Sequence, residues 1–333
     1  MRELARIARL AGMFAVRAVR QDAEDPLTGL ELGEVKEPEV PDGWTTVRLK
    51  AASLNHHDLW SLRGVGLPAD RLPMVLGCDG AGLDEDGNEV IVHAVIGNPE
   101  WRGDETLDPK RSLLSERHPG TFAEVVAVPR RNLVPKPPQL SFAEAACLPT
   151  AWLTAYRMLF TQAAIAPGST VLVQGAGGGV ATAAIALGAA AGHRVWATSR
   201  DEAKRERALA VGADQVFASG ERLPERVDAV IETVGAATWS HSLKSLVPGG
   251  AVVVSGATSG PNPPADLNRV FFLQLRVLGS TMGTREELGR LAQFLVQSGV
   301  RPVIDATLPL EDAVDGFRRM EQGSVFGKIV FTR

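Results

Sequence analysis

The sequence predicts an α/β chain of two units, a compact mostly β unit and a doubly wound parallel sheet flanked by helices. Three observations carry that expectation. The apolar run Val171–Gln174 enters the turn Gly175-Ala176-Gly177-Gly178-Gly179-Val180 and then an alanine-rich helical stretch. Beyond it, apolar runs alternate with helical patterns: Arg194–Thr198 and Asp201–Val211, then Asp228–Ile231, Ala251–Ser255 and Val277–Ser280. Strands that alternate with helices pair in parallel through right-handed crossovers. Ahead of Val134, by contrast, short β-type runs (Thr45–Leu49, Glu89–Ala94, Phe122–Val128) lie between Gly, Pro and Asp turns.

The first strand is expected near Met13-Phe14-Ala15-Val16. Val134-Pro135-Lys136-Pro137-Pro138 can continue neither a helix nor a central strand, and the helix-start signature Ser141-x-x-Glu144 follows at once, so a unit boundary belongs there. The closing segment carries a second signature of that kind, Thr284-x-x-Glu287, another helix near Glu311–Glu321 and the β-type run Gly327–Phe331. No internal repeat or low-complexity tract interrupts this order.

A length of 333 residues favours two domains over one. The net charge of −4, with Lys and Arg dispersed among acids, offers no footprint for nucleic acid or for a membrane surface. Met1–Leu10 is too often interrupted by charge to be a secretory signal; a short extension ahead of a cytoplasmic enzyme and an arginine-rich transit peptide are the two readings open to it. Only Cys78 and Cys147 are present, which excludes a disulfide scaffold and a structural zinc lobe and makes a reducing cytoplasm the default.

The glycine turn has the form of a dinucleotide site. A chain that turns sharply under a pyrophosphate and packs a helix tightly on a strand needs residues with little side chain, and the helix N-terminus attracts the phosphates. Gly175, Ala176, Gly177, Gly178, Gly179 and Val180 are the candidate cradle, with Ala181 in the place where close packing, and not a positive φ, is required. A ligand-free turn between a buried strand and helix is the alternative. At the end of the second strand an acid would bond the 2′-OH of NAD, but Arg194–Thr198 ends in Ser199-Arg200, with Asp201 as a helix cap and Lys204 one turn on. Ser199, Arg200 and Lys204 suit a 2′-phosphate, so the expected cofactor is NADP(H). Arg200 and Lys204 as plain solvated helix charges is the competing reading.

These segments together resemble the medium-chain dehydrogenase/reductase superfamily, and most of all its quinone oxidoreductase branch. The carrying residues are Ala52–Trp60, Leu76–Gly82, Gly120–Glu124, Leu148–Tyr156, the glycine turn and Gly327-Lys328-Ile329-Val330. The resemblance implies a GroES-like catalytic domain from residues 1–135 and 281–333, a Rossmann domain from 136–280, and a substrate cleft between them. It further implies a homodimer joined through the Rossmann sheet edge. Thr154, Thr233, Val234, Gly256, Ala257, Thr258 and Lys328 should then border the cofactor.

Alcohol dehydrogenases of that superfamily hold a catalytic zinc. At the corresponding positions this sequence has Asn55, Cys78, Asp79 and Thr150, none of them the family's residue for its place, so no metal is expected. His56, His57, Cys78 and Asp79 are nonetheless metal-competent types near the cleft, and a rearranged zinc site is the rival possibility. Without a Lewis acid, hydride delivery to a quinone or an enone is easier than alcohol oxidation. Asn55 is the expected hydrogen-bond donor to the substrate oxygen or the nicotinamide ribose. His57 is either a proton relay or a loop residue packing on the cofactor, and Asp58 is expected to fix the loop backbone. Trp60 and Trp152 wall an aromatic pocket or serve as core, and Tyr156 should lie near the nicotinamide face. A small-molecule reductase is thus expected, against a zinc alcohol or aldehyde dehydrogenase and a non-catalytic NADPH-binding protein.

Overall fold

The computed structural model describes residues 12–333, so the readings of Met1–Leu10 fall outside the described residues. Two sheets dominate. The first is a six-stranded, all-parallel sheet in the order Gln215–Ala218, Arg194–Ser199, Thr170–Val173, Val227–Glu232, Leu246–Val254, Arg276–Gly279. Chain order reverses between Thr170–Val173 and Val227–Glu232, and at such a switch point the loops leaving the carboxyl ends splay apart and leave a crevice. Residue alternation sorts the strand faces: Val171 and Val173 pack with Ile185 and Ala184 on one side, while Leu172 packs with Trp196 and Leu243 on the other. A strand buried on both faces must be apolar throughout, which is why Thr170–Val173 reads as a continuous run.

The second sheet has seven strands, in the order Leu133–Pro135, Glu89–Val92, Asp79–Asp84, Trp44–Ser53, Lys328–Thr332, Ile304–Pro309, with Val125–Pro129 also on Trp44–Ser53. Its register positions the site. Ser53 faces Asp79 on one neighbour and Val330 on the other, both antiparallel. Asn55 lies two residues beyond Ser53 and Lys328 two residues before Val330, so an antiparallel pairing sets Asn55, Asp79 and Lys328 at one corner.

Both helix-start signatures form reciprocal caps: Ser141 N donates to Glu144 Oε2 at 2.7 Å, and Thr284 N donates to Glu287 Oε2 at 2.7 Å. The run Phe122–Val128 is trimmed, because its ladder begins at Val125 while Phe122 N donates instead to Leu76 O at 2.8 Å. Leu30–Lys36, Asp79–Asp84, Gln215–Ala218 and Ile304–Pro309 are among the strands that escape sequence reading. Asp79–Asp84 hides behind glycines that the packing demands: a Cβ on Gly82 would lie 2.1 Å from Arg48 O. No helix among the described residues is long and apolar enough to cross a membrane.

Candidate functional site

The glycine turn sits at the switch point. Gly178 caps the helix Gly179–Ala190, and Ala176 N donates to Thr198 O at 2.7 Å, hooking the turn to the second strand. Gly177 has φ +135°, and a side chain there would strike the Lys204 stem at 2.8 Å. A Cβ on Gly179 would strike the Lys328 stem at 2.8 Å, whereas one on Gly178 would meet only open space. The walls of the cradle are therefore built and its mouth is clear, which fits a pyrophosphate at the helix N-terminus. Val180 follows within the first helical turn, and Ala181 is buried.

At the tip of the second strand, Ser199 Oγ accepts from Asp201 N at 3.2 Å, and Asp201 accepts from Lys204 N at 3.2 Å as the cap of Glu202–Val211. Arg200 is exposed, and its guanidinium has no hydrogen bond or ion pair among the described residues. Lys204 is not a loose surface charge, since Nζ donates to Gly323 O at 2.6 Å and ties this helix to the C-terminal loop. Arg205, which sequence reasoning passed over, donates to Ser199 O at 2.8 Å and stiffens the tip.

Two further loops close on each other across the crevice. Ser259 N donates to Val234 O at 2.7 Å, and Gly256 lies so close that a Cβ would reach Thr233 O at 2.9 Å. Ala257 touches Gly235, and Thr258 lies 3.5 Å from Thr233 O. The organiser is Glu232, a fully buried carboxylate that accepts from Val234 N at 2.8 Å, Gly235 N at 3.0 Å and Ser242 Oγ at 2.6 Å. An acid ending the strand Val227–Glu232 behind the apolar run Ala229–Ile231 is the sequence signal for it. Thr154 is buried in the helical turn Leu153–Tyr156. Tyr156 does not face the crevice loops; its ring packs edge-on against Phe160 with centroids 4.8 Å apart, in a cluster that includes Phe294 and His193. Trp152 is wholly core, and Trp60 is half-buried beneath Arg63.

The corner formed by the second sheet holds a buried cation. Lys328 Nζ donates to Leu54 O at 2.7 Å, to Asn55 Oδ1 at 2.6 Å and to Asp79 Oδ2 at 3.3 Å. Asn55 Nδ2 in turn donates to Asp79 Oδ2 at 2.8 Å and Ser53 O at 3.3 Å, and Ser53 Oγ reaches the same carboxylate oxygen at 2.7 Å. Both ends of the Asn55 amide are engaged inside the protein, so its side chain is a brace here, with no free N–H for a substrate oxygen. Lys328, expected along the cofactor, lays only its stem against the glycine turn and commits its ammonium to Asn55 and Asp79.

Beside this corner the helix His56–Leu62 begins. Asp58 clamps backbone on two sides, accepting from Asn55 N at 2.9 Å and Gly77 N at 3.0 Å, and burial pushes its carboxyl up to about 6. It touches no open space as a catalytic acid would. His57 links two groups: Nδ1 lies 3.4 Å from Cys78 Sγ and Nε2 lies 3.0 Å from Glu116 Oε1. Burial works against the imidazolium, but the Cys78 charge and hydrogen bond, then Glu116, outweigh it and hold His57 well above its usual range. His56 goes the other way, depressed by burial and by the charge of Lys328. Sequence reasoning missed Glu116, which lies 59 positions from His57 in a segment without periodicity.

Metal ligation fits this donor set poorly. Asn55 and Asp79 are bonded to an ammonium, Asp58 has both oxygens on backbone N–H groups, and Glu116 binds the His57 nitrogen that faces away from Cys78. Among His57, Asp58 and Cys78, whose ligand atoms lie within 4.8 Å of one another, only Cys78 Sγ and His57 Nδ1 remain to converge on one point. A catalytic zinc needs three protein ligands.

Comparison with known proteins agrees with the two sheets. Residues 41–138 match the alcohol dehydrogenase GroES-like domain and residues 179–297 the zinc-binding dehydrogenase family. The chain is 30% identical over 326 residues to an acryloyl-coenzyme A reductase of Metallosphaera sedula, covering 91% of this chain and 96% of that one. It is 29% identical to an alcohol dehydrogenase of Geobacillus stearothermophilus, over 90% of this chain and 95% of the relative. A crystal structure described as an NAD-dependent alcohol dehydrogenase superposes with a TM-score of 0.89 at 36% identity, covering 96% of this chain and all of the other. With the GroES-like and nucleotide-binding parts both matched and a relative aligned over nearly its full length, the chain belongs to the medium-chain dehydrogenase/reductase superfamily and is an oxidoreductase of that type.

Proposed function

We propose that the chain is an NADP(H)-dependent reductase that directs hydride, without a catalytic metal, to the electron-poor carbon of a quinone or of a double bond conjugated to a carbonyl. The observation that carries this reading is the Lys328 ammonium, bound by Leu54, Asn55 and Asp79 at the corner where the family resemblance puts zinc. A fixed ammonium and a divalent cation repel each other at such range, and the chain has already filled the role of local positive charge. The likeness to an acryloyl-coenzyme A reductase supports a conjugated carbonyl as substrate.

Bound nicotinamide supplies the hydride. The remaining work falls to the chain. The glycine turn Gly175–Gly179 binds the pyrophosphate, and Arg200 with Ser199 takes the 2′-phosphate. Thr233, Val234, Gly256, Ala257 and Thr258 border the carrier, with their loops fixed by Glu232. The Lys328–Asp79 pair holds Asn55 rigid, and with it the start of the helix that carries His57. His57, held cationic beside Glu116, donates the proton that completes the reduction. The exposed outer edge of Arg276–Gly279, flanked by Phe271 and Phe272, supports a homodimer joined through the parallel sheet.

The test is oxidation of NADPH and NADH by protein purified without added zinc, across quinones, enones, enoyl thioesters and aldehydes, with metal content measured on the same sample. Turnover of conjugated carbonyls with NADPH and no stoichiometric metal is expected. Stoichiometric zinc whose removal abolishes activity would instead establish a dehydrogenase with a rearranged metal site. Tight NADPH binding with no turnover across the panel would establish a non-catalytic binder.

A further inference from the structure

We propose that Cys78, His57 and Glu116 form a nucleophilic thiol site, at which the Cys78 sulfur takes an α,β-unsaturated carbonyl as a covalent thioether adduct. The arrangement has the three parts of an activated cysteine: a nucleophile, an imidazole within reach that holds the proton taken from it as a thiolate–imidazolium pair, and a third group orienting that ring. Sγ lies 3.4 Å from His57 Nδ1, and the opposite nitrogen of that ring lies 3.0 Å from the Glu116 carboxylate. Leu114 O at 3.2 Å and Ser115 Oγ at 3.5 Å complete the polar surroundings of the sulfur, and Ala94, Val95 and Met282 form its apolar wall.

The second line of support is backbone strain. Ser115 and Met282, which flank Cys78 from different segments, both adopt the left-handed conformation, with φ of +64° and +52°. Side-chain residues hold that conformation only when their surroundings require it, and such strain gathers at functional sites. Here the turn at Ser115 delivers Glu116 to His57. Above the pair runs Gly64-Val65-Gly66, both glycines at positive φ, with Gly66 placed so that a Cβ would lie 3.7 Å from His57 Nε2 and 3.4 Å from Glu116 Oε1. The thiol itself is covered, at 1% exposure, while the His57 side chain over it is 19% exposed. Rotation of that ring under the glycine-flanked loop is the route to the sulfur.

In the reaction, Sγ bonds to the β-carbon as the double-bond electrons move onto the carbonyl oxygen. His57 passes the thiol proton to the α-carbon. One S–H and one C=C π bond are consumed, one C–S and one C–H bond are formed, and nothing is oxidised or reduced overall. The identity of the electrophile rests on the substrate reading above; the thiol site does not.

Cys147 is the internal control. Burial raises both thiols, but at Cys78 the charge and hydrogen bond of His57, then Ser115, oppose it, whereas Cys147, pushed up to about 12, has among the described residues only the carbonyl of Ala143 as hydrogen-bond partner. The full chain, without cofactor, is treated with N-ethylmaleimide and separately with methyl vinyl ketone, and adducts are assigned by intact mass and peptide mapping. Cys78 is expected to react at least about tenfold faster than Cys147, and His57→Gln and Glu116→Gln should each slow Cys78 by about tenfold without changing Cys147. Equal rates for the two cysteines in the wild-type chain, reaction only after denaturant, or an unchanged Cys78 rate in folded His57→Gln would overturn the proposal. Labelling requires no nicotinamide, so failure of reductase turnover and failure of the thiol site are read separately.

Discussion

Lys328 donates to the Asn55 side-chain oxygen at 2.6 Å across 273 positions of sequence, joining the last strand to the loop after Trp44–Ser53. The bond exists because the two ends of the chain share a sheet, and it leaves the ammonium 2% exposed against a fully buried Asp79. Removing one partner of a buried pair strands the other charge, so Lys328→Met should cost about 3–5 kcal/mol of stability. Adding Asp79→Asn should recover most of that loss, since no buried carboxylate then lacks its cation. Urea unfolding of the two variants measures it; a double variant no more stable than Lys328→Met would show that the pair is not the source.

The second prediction concerns the pH profile of His57. Because its pKa lies above 6.5, the proton it donates is present at neutral pH and is lost as pH rises through the elevated value. Turnover should accordingly hold level near neutrality and fall on the alkaline side. Its contribution to stability has the same sign, complete below the unfolded value and lost through the folded one. Cys78, Asp58 and Glu116 are the groups that face the ring. Glu116→Gln removes the carboxylate hydrogen bond that favours the imidazolium and should move the fall to lower pH. A fall at the same pH in wild type and variant would remove Glu116 from the account.

Cofactor choice is set at the Ser199-Arg200 tip. Arg200 has no other partner among the described residues, so its guanidinium is available to a 2′-phosphate, whereas Lys204 is bound to Gly323 O. Arg200→Ala should raise KM for NADPH by about tenfold and leave that for NADH within about twofold. Equal changes for both cofactors would mean that Arg200 reads something common to them, such as the adenine.

What sequence reveals here follows from range. The parallel sheet is legible because each strand, turn and helix is a contiguous pattern: Val171–Gln174 with its glycine turn, or Thr284-x-x-Glu287 with its reciprocal cap. Asn55, Cys78 and Asp79 were legible as positions, because short motifs surround them, but not as partners. The Lys328 ammonium reaches Asn55 only through strand register, and Glu116 reaches His57 only through a turn at positive φ on Ser115. Neither leaves a local trace. Tyr156 illustrates the opposite error, in which a residue close in sequence to Thr154 packs on Phe160 because two residues, roughly half a helical turn, put their side chains on opposite faces.

The segment between the two β-type regions of the first unit should be acid-labile. Glu105 lies 3.3 Å from His93, and although burial opposes its charge, the neighbouring His93 ring and the Arg285 N–H bring its carboxyl down to about 2 from 4.5. A depressed carboxylate stabilises the fold above 4.5 and loses that contribution as pH falls toward 2. Glu105→Gln should destabilise the protein at neutral pH by on the order of 1–2 kcal/mol, after allowance for the partly exposed side chain. The gap from wild type should narrow below pH 4.5. Urea midpoints measured at successive pH values check it, and a constant gap would exclude ionisation as the cause.

Association of two chains should depend on the end of the parallel sheet. Arg276–Gly279 is its terminal strand, with an outer edge that no strand among the described residues pairs, and Val277 on it is 47% exposed. Next to that edge Phe271 is 58% and Phe272 76% exposed, their rings in contact at 4.6 Å between centroids. An open edge beside exposed aromatic rings is costly for a lone chain in water, and pairing with the same edge of a second copy relieves both through a two-fold contact. Val277→Lys puts like charges opposite each other across such an edge, and Phe272→Glu does the same at the apolar patch. Either should shift sedimentation from dimer to monomer while leaving the fold intact by circular dichroism. Because Arg200 and the glycine turn lie at the carboxyl ends of strands on the far side of the sheet from this edge, NADPH binding should survive in the monomer. A dimer that persists in both variants would move the interface elsewhere on the molecule.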